Sequence, residues 1–498
     1  MRTRSKASLA DVPEQVWLDR GRANALATFH RTARRVPAYR AFLGEHGVRP
    51  RDIRTFEDFQ GLPTTSKESY LLRYDLVELL PAGSLAGSCV ITCSSGYSGE
   101  PLFWPRLKRQ DDGAVRGMDA LYSLFGIASR RTLAVNTFTL GVHVGGQMCT
   151  DLSLRVARMP GRKLTFVTPG ASIEDILELV KHLSPRFEQT IIWGYPSLVH
   201  KVVTRGASAG IDWARLDTFL ACAGDGFTES WRRLMVNMIG GRPHPMRVSA
   251  LFGSADGGLM GFDTPASLLL RQLAHDRPEV KESLFRGQTP LASIQFNPMG
   301  RFFESINGEL ALTCWQAVPM VRYSLRDVGD AIPFSEAASQ LQACGICLPD
   351  ALAGIGVAPE HVWRWPFLSC FGRADGTVSI VGSNIHPYAL QHVFASHPEV
   401  SHFKLTVEDD AEGGSRLAVY VEVRHGALRS DARARLERRL HDEVLEALLK
   451  ANPDYVAAYR DDRQAADPLI HVVGRGRGPF AEDAGRWKRS HLHRERAR

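Results

Sequence analysis

The sequence predicts an α/β protein, with a large N-terminal domain of parallel βαβ sheets plus a small β-barrel-like part, and a small α+β C-terminal domain. Three observations predict it. From about 131 to 256, β-rich runs alternate with amphipathic helical runs, the pattern of parallel βαβ units. From 291 to 333, short β runs follow one another without helices, which predicts a small antiparallel sheet or barrel packed on the α/β core. After Gly372 a fresh order of strand, helix, strand, strand and long helix begins. The expected boundary therefore separates residues 1–371 from residues 372–498.

Taken in order, residues 1 to about 80 read as mostly helical, with apolar residues at helical spacing from Val16 to Arg35. Pro63 stops the chain, and Thr64–Glu68 reads as a capped helix start. Cys89–Cys93 is a β run, Ser94–Pro101 a glycine-rich loop, and Leu102–Trp104 a second β run. Thr132–Phe138, Leu164–Thr168, Thr190–Trp193, Thr218–Ala223 and Arg247–Phe252 are the alternating strands; Ser172–Leu183 and Thr228–Ile239 are helices between them. Three turns follow strands: Gly194–Tyr195–Pro196, Gly224–Asp225–Gly226 and Gly253–Ser254. Ligands of open α/β sheets bind at the carboxyl ends of strands, so these turns are the expected nucleotide-binding region. Residues 335–368 carry no clear pattern. The C-terminal unit offers a helix at Tyr388–Ser396, strands at His402–Val407 and Leu417–Val423, and a helix at Ser430–Leu449.

The chain of 498 residues is 44% hydrophobic and 23% charged, ordinary for a globular enzyme. It holds no apolar run of membrane-spanning length, and no apolar stretch follows the basic residues after Met1, so neither a membrane partner nor secretion is expected. Eight scattered cysteines fit free thiols in a reducing, cytoplasmic setting. Part of the +7 net charge sits in a tail holding Arg486, Lys488, Arg489, Arg494, Arg496 and Arg498. Without interleaved aromatics beyond Trp487 it lacks a stacking surface for single strands, so no nucleic-acid partner is expected.

Three motifs carry chemistry. Small residues in Ser94–Ser95–Gly96–Tyr97–Ser98–Gly99 let backbone N–H groups and hydroxyls turn toward an anion; alone, such a run is more often a polar hairpin tip. Asp327, ending Pro319–Asp327, is a carboxylate placed after a strand, able to accept from both hydroxyls of a ribose or simply to close a turn. Gly372–Arg373–Ala374–Asp375–Gly376, with Gly382–Ser383–Asn384 beyond it, is a glycine-rich interdomain turn carrying a cation and a carboxylate.

In this order and spacing the motifs resemble the adenylate-forming superfamily, and most closely its phenylacetate–coenzyme A ligase branch. Leu62–Lys67 is similar to the branch's Leu-Pro-x-Thr-x-Lys, Ser94–Pro101 to Ser-Ser-Gly-Thr-Thr-Gly-Lys-Pro, and Ala223–Thr228 to Gly-Ala-Glu-Pro-Trp-Thr. Phe252–Asp256 stands where the family has Tyr-Gly-x-Ser/Thr-Glu, and Gly308–Thr313 fits Gly-Glu-Leu-Val-x-Thr. The resemblance implies a ligase that joins a small carboxylic acid to AMP from ATP, then passes the acyl group on, with coenzyme A the expected acceptor. It implies that the Ser94–Gly99 loop holds the β and γ phosphates, and that Gly224 and Asp225 line the adenine and acyl sites. Phe252, followed by Gly253 and Ser254, would stack on adenine, and Asp256 would help hold Mg2+. Asp327 would bind the ribose and Arg373 the ribose or phosphate. Asp375 would be the hinge of a mobile C-terminal domain, and Gly382 would lie beside a pantetheine arm. His143, in Gly141–Gly146, resembles the family's His-x-Gly-Gly beside the acyl pocket, or simply starts a helix.

The sequence departs from the family at identifiable points. Glu100 replaces a loop lysine, Tyr97 a threonine, Asp256 a glutamate and Phe252 a tyrosine. The terminal Gly-Lys that drives adenylation is matched by Gly485–Arg486–Trp487–Lys488, so Arg486 or Lys488 supplies the cation, with Lys488 preferred. These departures leave two further readings: a ligase whose acceptor is an amine, another nitrogen nucleophile or a carrier-protein thiol, and a non-catalytic nucleotide-binding relic. Cys344–Gly345–Ile346–Cys347 with Cys370 and His361 is a candidate zinc set, but one Cys-x-x-Cys without a second pair more often marks plain thiols. A homodimer is compatible with the family, and the identity of the acid stays open.

Overall fold

The computed structural model describes residues 8–93, 102–374, 376–409, 414–424 and 429–483. The glycine-rich loop Ser94–Gly99, Asp375, Arg486 and Lys488 lie outside the described residues.

The strands are β1 (Ser88–Cys93), β2 (Phe103–Leu107), β3 (Thr132–Asn136), β4 (Leu164–Val167), β5 (Gln189–Gly194), β6 (Thr218–Cys222), β7 (Val248–Ser254), β8 (Gly258–Phe262), β9 (Ala292–Gln295), β10 (Phe302–Ile306), β11 (Glu309–Cys314), β12 (Met320–Ile332), β13 (Phe367–Arg373), β14 (Val378–Ile380), β15 (Ser383–Ile385), β16 (Val400–Asp409), β17 (Ser415–Val423) and β18 (Leu469–Val473). One long sheet runs β10-β11-β12-β13-β9-β8-β7-β6-β5-β3-β4. Its β4-β3-β5-β6-β7 wing is parallel. Every residue of β3, β5 and β6 is buried, as expected of strands covered on both faces. Burying each large apolar side chain there contributes about 1.5–3 kcal/mol. One face packs Tyr122, Phe125, Leu152 and Trp193; the other packs Ile176, Val199, Trp231 and Met235. The helices Ile173–Leu183 and Glu229–Ile239 begin where their caps dictate. Ser172 accepts the Asp175 N–H and Thr228 the Trp231 N–H.

The antiparallel strands do not stand apart as a barrel. β8 pairs with both β7 and β9, and β9 with β13, so they continue the parallel wing as one sheet. The physical reason is the short β7–β8 connection: an antiparallel return at Ser254–Gly258 keeps the chain in the same sheet. Phe29, Tyr39 and Phe42 of the N-terminal helices cover this wing on one face, packing on Leu310, Leu312 and Val321. The 335–368 region, unassigned from sequence, forms helices Phe334–Ala343 and Leu348–Gly354 on the other face.

Thr64–Glu68 does not start a helix. Thr65 bridges to Tyr323 of β12, its N–H donating to Arg322 O at 3.2 Å, and the chain continues through a turn to a short 3-10 segment, Leu71–Arg73. The Ser66 hydroxyl does accept the Ser69 N–H, so the cap chemistry is present; strand pairing overrides it. β1 and β2 form the expected antiparallel pair flanking the glycine-rich loop.

The C-terminal unit has its own core, built from Leu405, Val419, Leu440, Val444 and Leu448 among others. The order β16-β17-β18 includes a parallel partner, β18, that the sequence did not suggest, together with helices Pro453–Asp461 and Arg463–Ala466. No described helix is long and apolar enough to cross a membrane.

Candidate active site

The turns after β5, β6 and β7 bring Tyr195, Gly224, Asp225 and Ser254 to the carboxyl edge of the parallel wing. His143 precedes the helix Val144–Ala157 at its N-cap position, and its side chain makes no capping bond. It bridges to Cys93, the last residue of β1.

Asp256 sits just past β7. Its Oδ1 accepts the Ser254 hydroxyl and the Gly257 N–H, the latter at 2.9 Å, and the Tyr323 phenol of β12 lies beside the carboxylate. Burial, with the Asp256 charge beside it, pushes the Tyr323 phenol well up, so it stays protonated and able to donate. Gln316 donates to the Asp256 backbone oxygen at 2.6 Å. A carboxylate offers about four acceptor positions and both of these donors fall on Oδ1, so Oδ2 has capacity for a cation. Mg2+ is commonly held by one or two carboxylates plus substrate phosphates. Asp256 fits that demand as a single ligand.

Asp327 and Arg373 face each other across β12 and β13. Their ion pair spans 3.2 Å, and Arg373 also donates to Leu325 O at 2.8 Å. The pair is prealigned by strand register, with Asp327 the better buried partner at 14% exposure against 34%. Arg326, just before Asp327, adopts φ +60. The buried Cys370 thiol nearby is raised by burial and then by Asp327.

Gly382 comes from the C-terminal unit and is brought to the same edge. Its N–H donates to Asp225 Oδ2 at 3.2 Å. The Tyr195 ring packs against both Gly224 and Gly382, whose φ values are +95 and +74; a Cβ at either would come within 2.6 Å of ring carbons. Phe138 meets the same ring edge-on at 5.0 Å. Burial pushes the Asp225 carboxyl up to about 7, and the Gly382 and Val381 N–H groups pull it partly back.

The described members of the expected site thus divide into the Asp327–Arg373 pair, a β7-edge group (Phe252, Gly253, Ser254, Asp256), the residues meeting at the Tyr195 ring (Gly224, Asp225, Gly382), and His143 at the start of its helix. Tyr195, Tyr323 and Gln316 were not assigned roles from the sequence. Tyr195 lay in a turn already marked for ligand binding, and Tyr323 in the motif ending at Asp327; Gln316 carried no signal. Among the described residues no group of three His, Cys, Asp or Glu side chains is placed to hold a metal. Cys344 donates to Glu279 O at 3.7 Å, while Cys370 is buried in β13.

This arrangement, a two-wing sheet with a separate α+β unit presenting a hairpin to the strand ends, is the fold of the adenylate-forming ligases. The chain resembles 2-hydroxyisobutyryl-CoA ligase, solved in complex with 2-HIB-AMP and CoA in the thioesterification state. The identity is 14%, the TM-score 0.60, and the match covers 93% of this chain and 87% of that one. Against the same ligase in the postadenylation state with R3-HIB-AMP the values are 13%, 0.53, 96% and 88%. Against its open conformation with 2-HIB-AMP and CoA they are 13%, 0.51, 95% and 90%. No protein-family model matches the sequence, and no curated protein matches it.

Proposed function

We propose that this protein activates a small carboxylic acid through an acyl-AMP intermediate and transfers the acyl group to a second nucleophile, coenzyme A in the first reading. The supporting observation is the meeting of the β6 turn, the end of β7, the Asp327–Arg373 pair and the Gly382 hairpin at one edge of the sheet. A carboxylate oxygen does not leave; attack on the α-phosphate of ATP makes AMP the leaving group. In this reading Asp327 accepts from the ribose hydroxyls, with Arg373 holding it in line. Phe252 covers the adenine, and the Ser94–Gly99 loop supplies donors to the phosphates. Asp256 would hold Mg2+, which neutralises phosphate charge when bound. Lys488, or Arg486, would bridge the carboxylate and α-phosphate, and Asp375 would be the hinge between half-reactions. The membership of the phenylacetate–coenzyme A ligase branch and a cytoplasmic location belong to the same proposal. The higher TM-score against the thioesterification state supports a docked, transfer-ready position of the C-terminal unit.

A second reading has one observation in its favour. The Tyr195 ring lies against Gly382, where the resemblance would run a pantetheine arm, and a narrowed passage suits a small amine or other nitrogen nucleophile.

The test is pyrophosphate release from ATP across a panel of aryl and aliphatic acids, with and without coenzyme A. Acid-dependent release that rises with coenzyme A and yields a thioester supports the first reading. Release indifferent to coenzyme A but yielding an amide on adding amines supports the second. ATP binding without release for any acid favours a non-catalytic relic.

A further inference from the structure

The β14–β15 hairpin is closed by two residues, Val381 and Gly382, between the paired Ile380 and Ser383. Both have positive φ, +50 and +74. That is the geometry of a type I′ turn, which favours Asn-Gly or Gly-Gly. A β-branched residue at positive φ is an outlier, because its Cβ crowds the following carbonyl. Val381 is 9% exposed and joins the C-terminal core, so packing holds it in place.

Strain at this tip has a visible counterpart. Successive N–H groups in such a turn point toward one concavity and can meet a single acceptor there. The acceptor here is the Asp225 carboxyl of the large unit: the Gly382 N–H donates to Oδ2 at 3.2 Å, and the neighbouring Val381 N–H favours the charged form from the same turn. Tyr195 packs its ring between Gly224 and Gly382, leaving no room for a Cβ on either side. A second polar tie joins the units, where Lys201 of the helix Pro196–Ser208 pairs with Asp462, the N-cap of the helix Arg463–Ala466.

We propose that Asp225 is a positioning residue that seats the C-terminal unit over the acyl edge of the sheet by capping the Val381–Gly382 turn, and that this seating weakens as the solution becomes more alkaline. The transfer step it positions rests on the proposed function; the seating does not.

The direction follows from linkage. Seated, the carboxyl is buried and titrates at about 7. Unseated and hydrated, it titrates near the ordinary aspartate value of about 3.9. Seating therefore takes up a proton between these values, and its equilibrium constant falls by about tenfold from pH 6 to pH 8. The titratable neighbours are Cys222, at the end of β6, and Tyr195. The Cys222 thiol is raised by burial and then by Asp263 and Asp225, so it stays neutral. Burial and the two turn N–H groups are the influences acting on the Asp225 carboxyl; no cation is among them.

The test is hydrogen–deuterium exchange of the 376–385 segment in the full chain, expressed as protection relative to the intrinsic rate at each pH. Wild-type protection at the turn should fall by about tenfold from pH 6 to pH 8. Asp225→Asn keeps an acceptor oxygen but cannot titrate, so its protection should persist and be flat across this range. Asp225→Ala should lose protection at the turn while the β3, β5 and β6 amides stay protected. Equal protection in Asp225→Ala and wild type overturns the proposal, as does a pH slope in Asp225→Asn equal to that of wild type. If Asp225→Ala does not fold, the comparison of Asp225→Asn with wild type decides alone. The readout needs no ATP or acid, so its failure is separable from failure of the pyrophosphate assay.

Discussion

The Asp327–Arg373 and Asp225–Gly382 halves of the candidate site are built in opposite ways. Asp327 and Arg373 are register partners on adjacent strands of one sheet, and their alignment is as rigid as the ladder that holds them. Asp225 and Gly382 lie 157 residues apart in chain order, on separate hydrophobic cores, and meet through one backbone donor and an aromatic ring. A group that must serve throughout a reaction suits the first construction. A contact that must form and break between steps suits the second, because few bonds have to be lost to release it.

The contrast can be broken most severely at its rigid end. Asp327→Ala removes the proposed acceptor for the ribose hydroxyls and breaks the Asp327–Arg373 ion pair. Loss of charged hydrogen bonds of this kind costs about 3–4 kcal/mol, a hundredfold or more in kcat/KM for ATP. Both half-reactions should fall together in a pyrophosphate-exchange assay and a thioester assay. An effect on transfer alone would contradict the division.

Gly382→Ala attacks the breakable end. Its Cβ would meet the Tyr195 ring at 2.6 Å, at a φ of +74. The expected loss is about 2–3 kcal/mol of seating, read as slower acyl transfer with exchange of pyrophosphate retained. A double-mutant cycle sharpens it: Tyr195→Ala in the Gly382→Ala background should restore turn protection. Absence of coupling would mean the ring and the glycine are merely adjacent.

Lys201→Ala probes the second tie between the units. Asp462 is 1% exposed and also receives the Ala465 N–H at 2.7 Å, so it keeps one partner when the lysine is lost. The expected cost is about 1–2 kcal/mol in urea unfolding, and replacing both residues should cost less than the sum of the singles.

Arg326→Gly should change least. Arg326 holds φ +60, and its ion pairs to Glu68 and Glu309 are long, at 3.4 and 3.9 Å, on a side chain 42% exposed. Relief of backbone strain offsets those weak pairs and the added freedom of the unfolded chain. The unfolding free energy in urea should stay level or rise by less than about 1 kcal/mol, with an unchanged slope. A drop larger than this would show that the surface pairs hold the Asp327 turn.

Legibility differed between these regions for the same reason. The parallel wing announced itself because fully buried strands read as apolar runs and their helices carry Ser172 and Thr228 caps. The place of Asp327 was legible because it stands in a motif on a strand. Thr64–Glu68 misled because its capping residues were real but its backbone pairs with β12. The 335–368 helices were obscured by Gly and Pro near each end, and β18 by its brevity.

By itself the sequence determined the fold class, the order of the elements, and which residue types crowd the strand ends. Periodicity and cap chemistry are local, and local energetics suffice to fix them. Only the tertiary structure decided that the antiparallel strands extend the parallel wing, that Tyr323 serves Asp256, and that Asp225 meets the Val381–Gly382 turn. Those are contacts between segments far apart in the chain, where burial and a strained turn set the energy, and no local pattern encodes a partner 157 residues away.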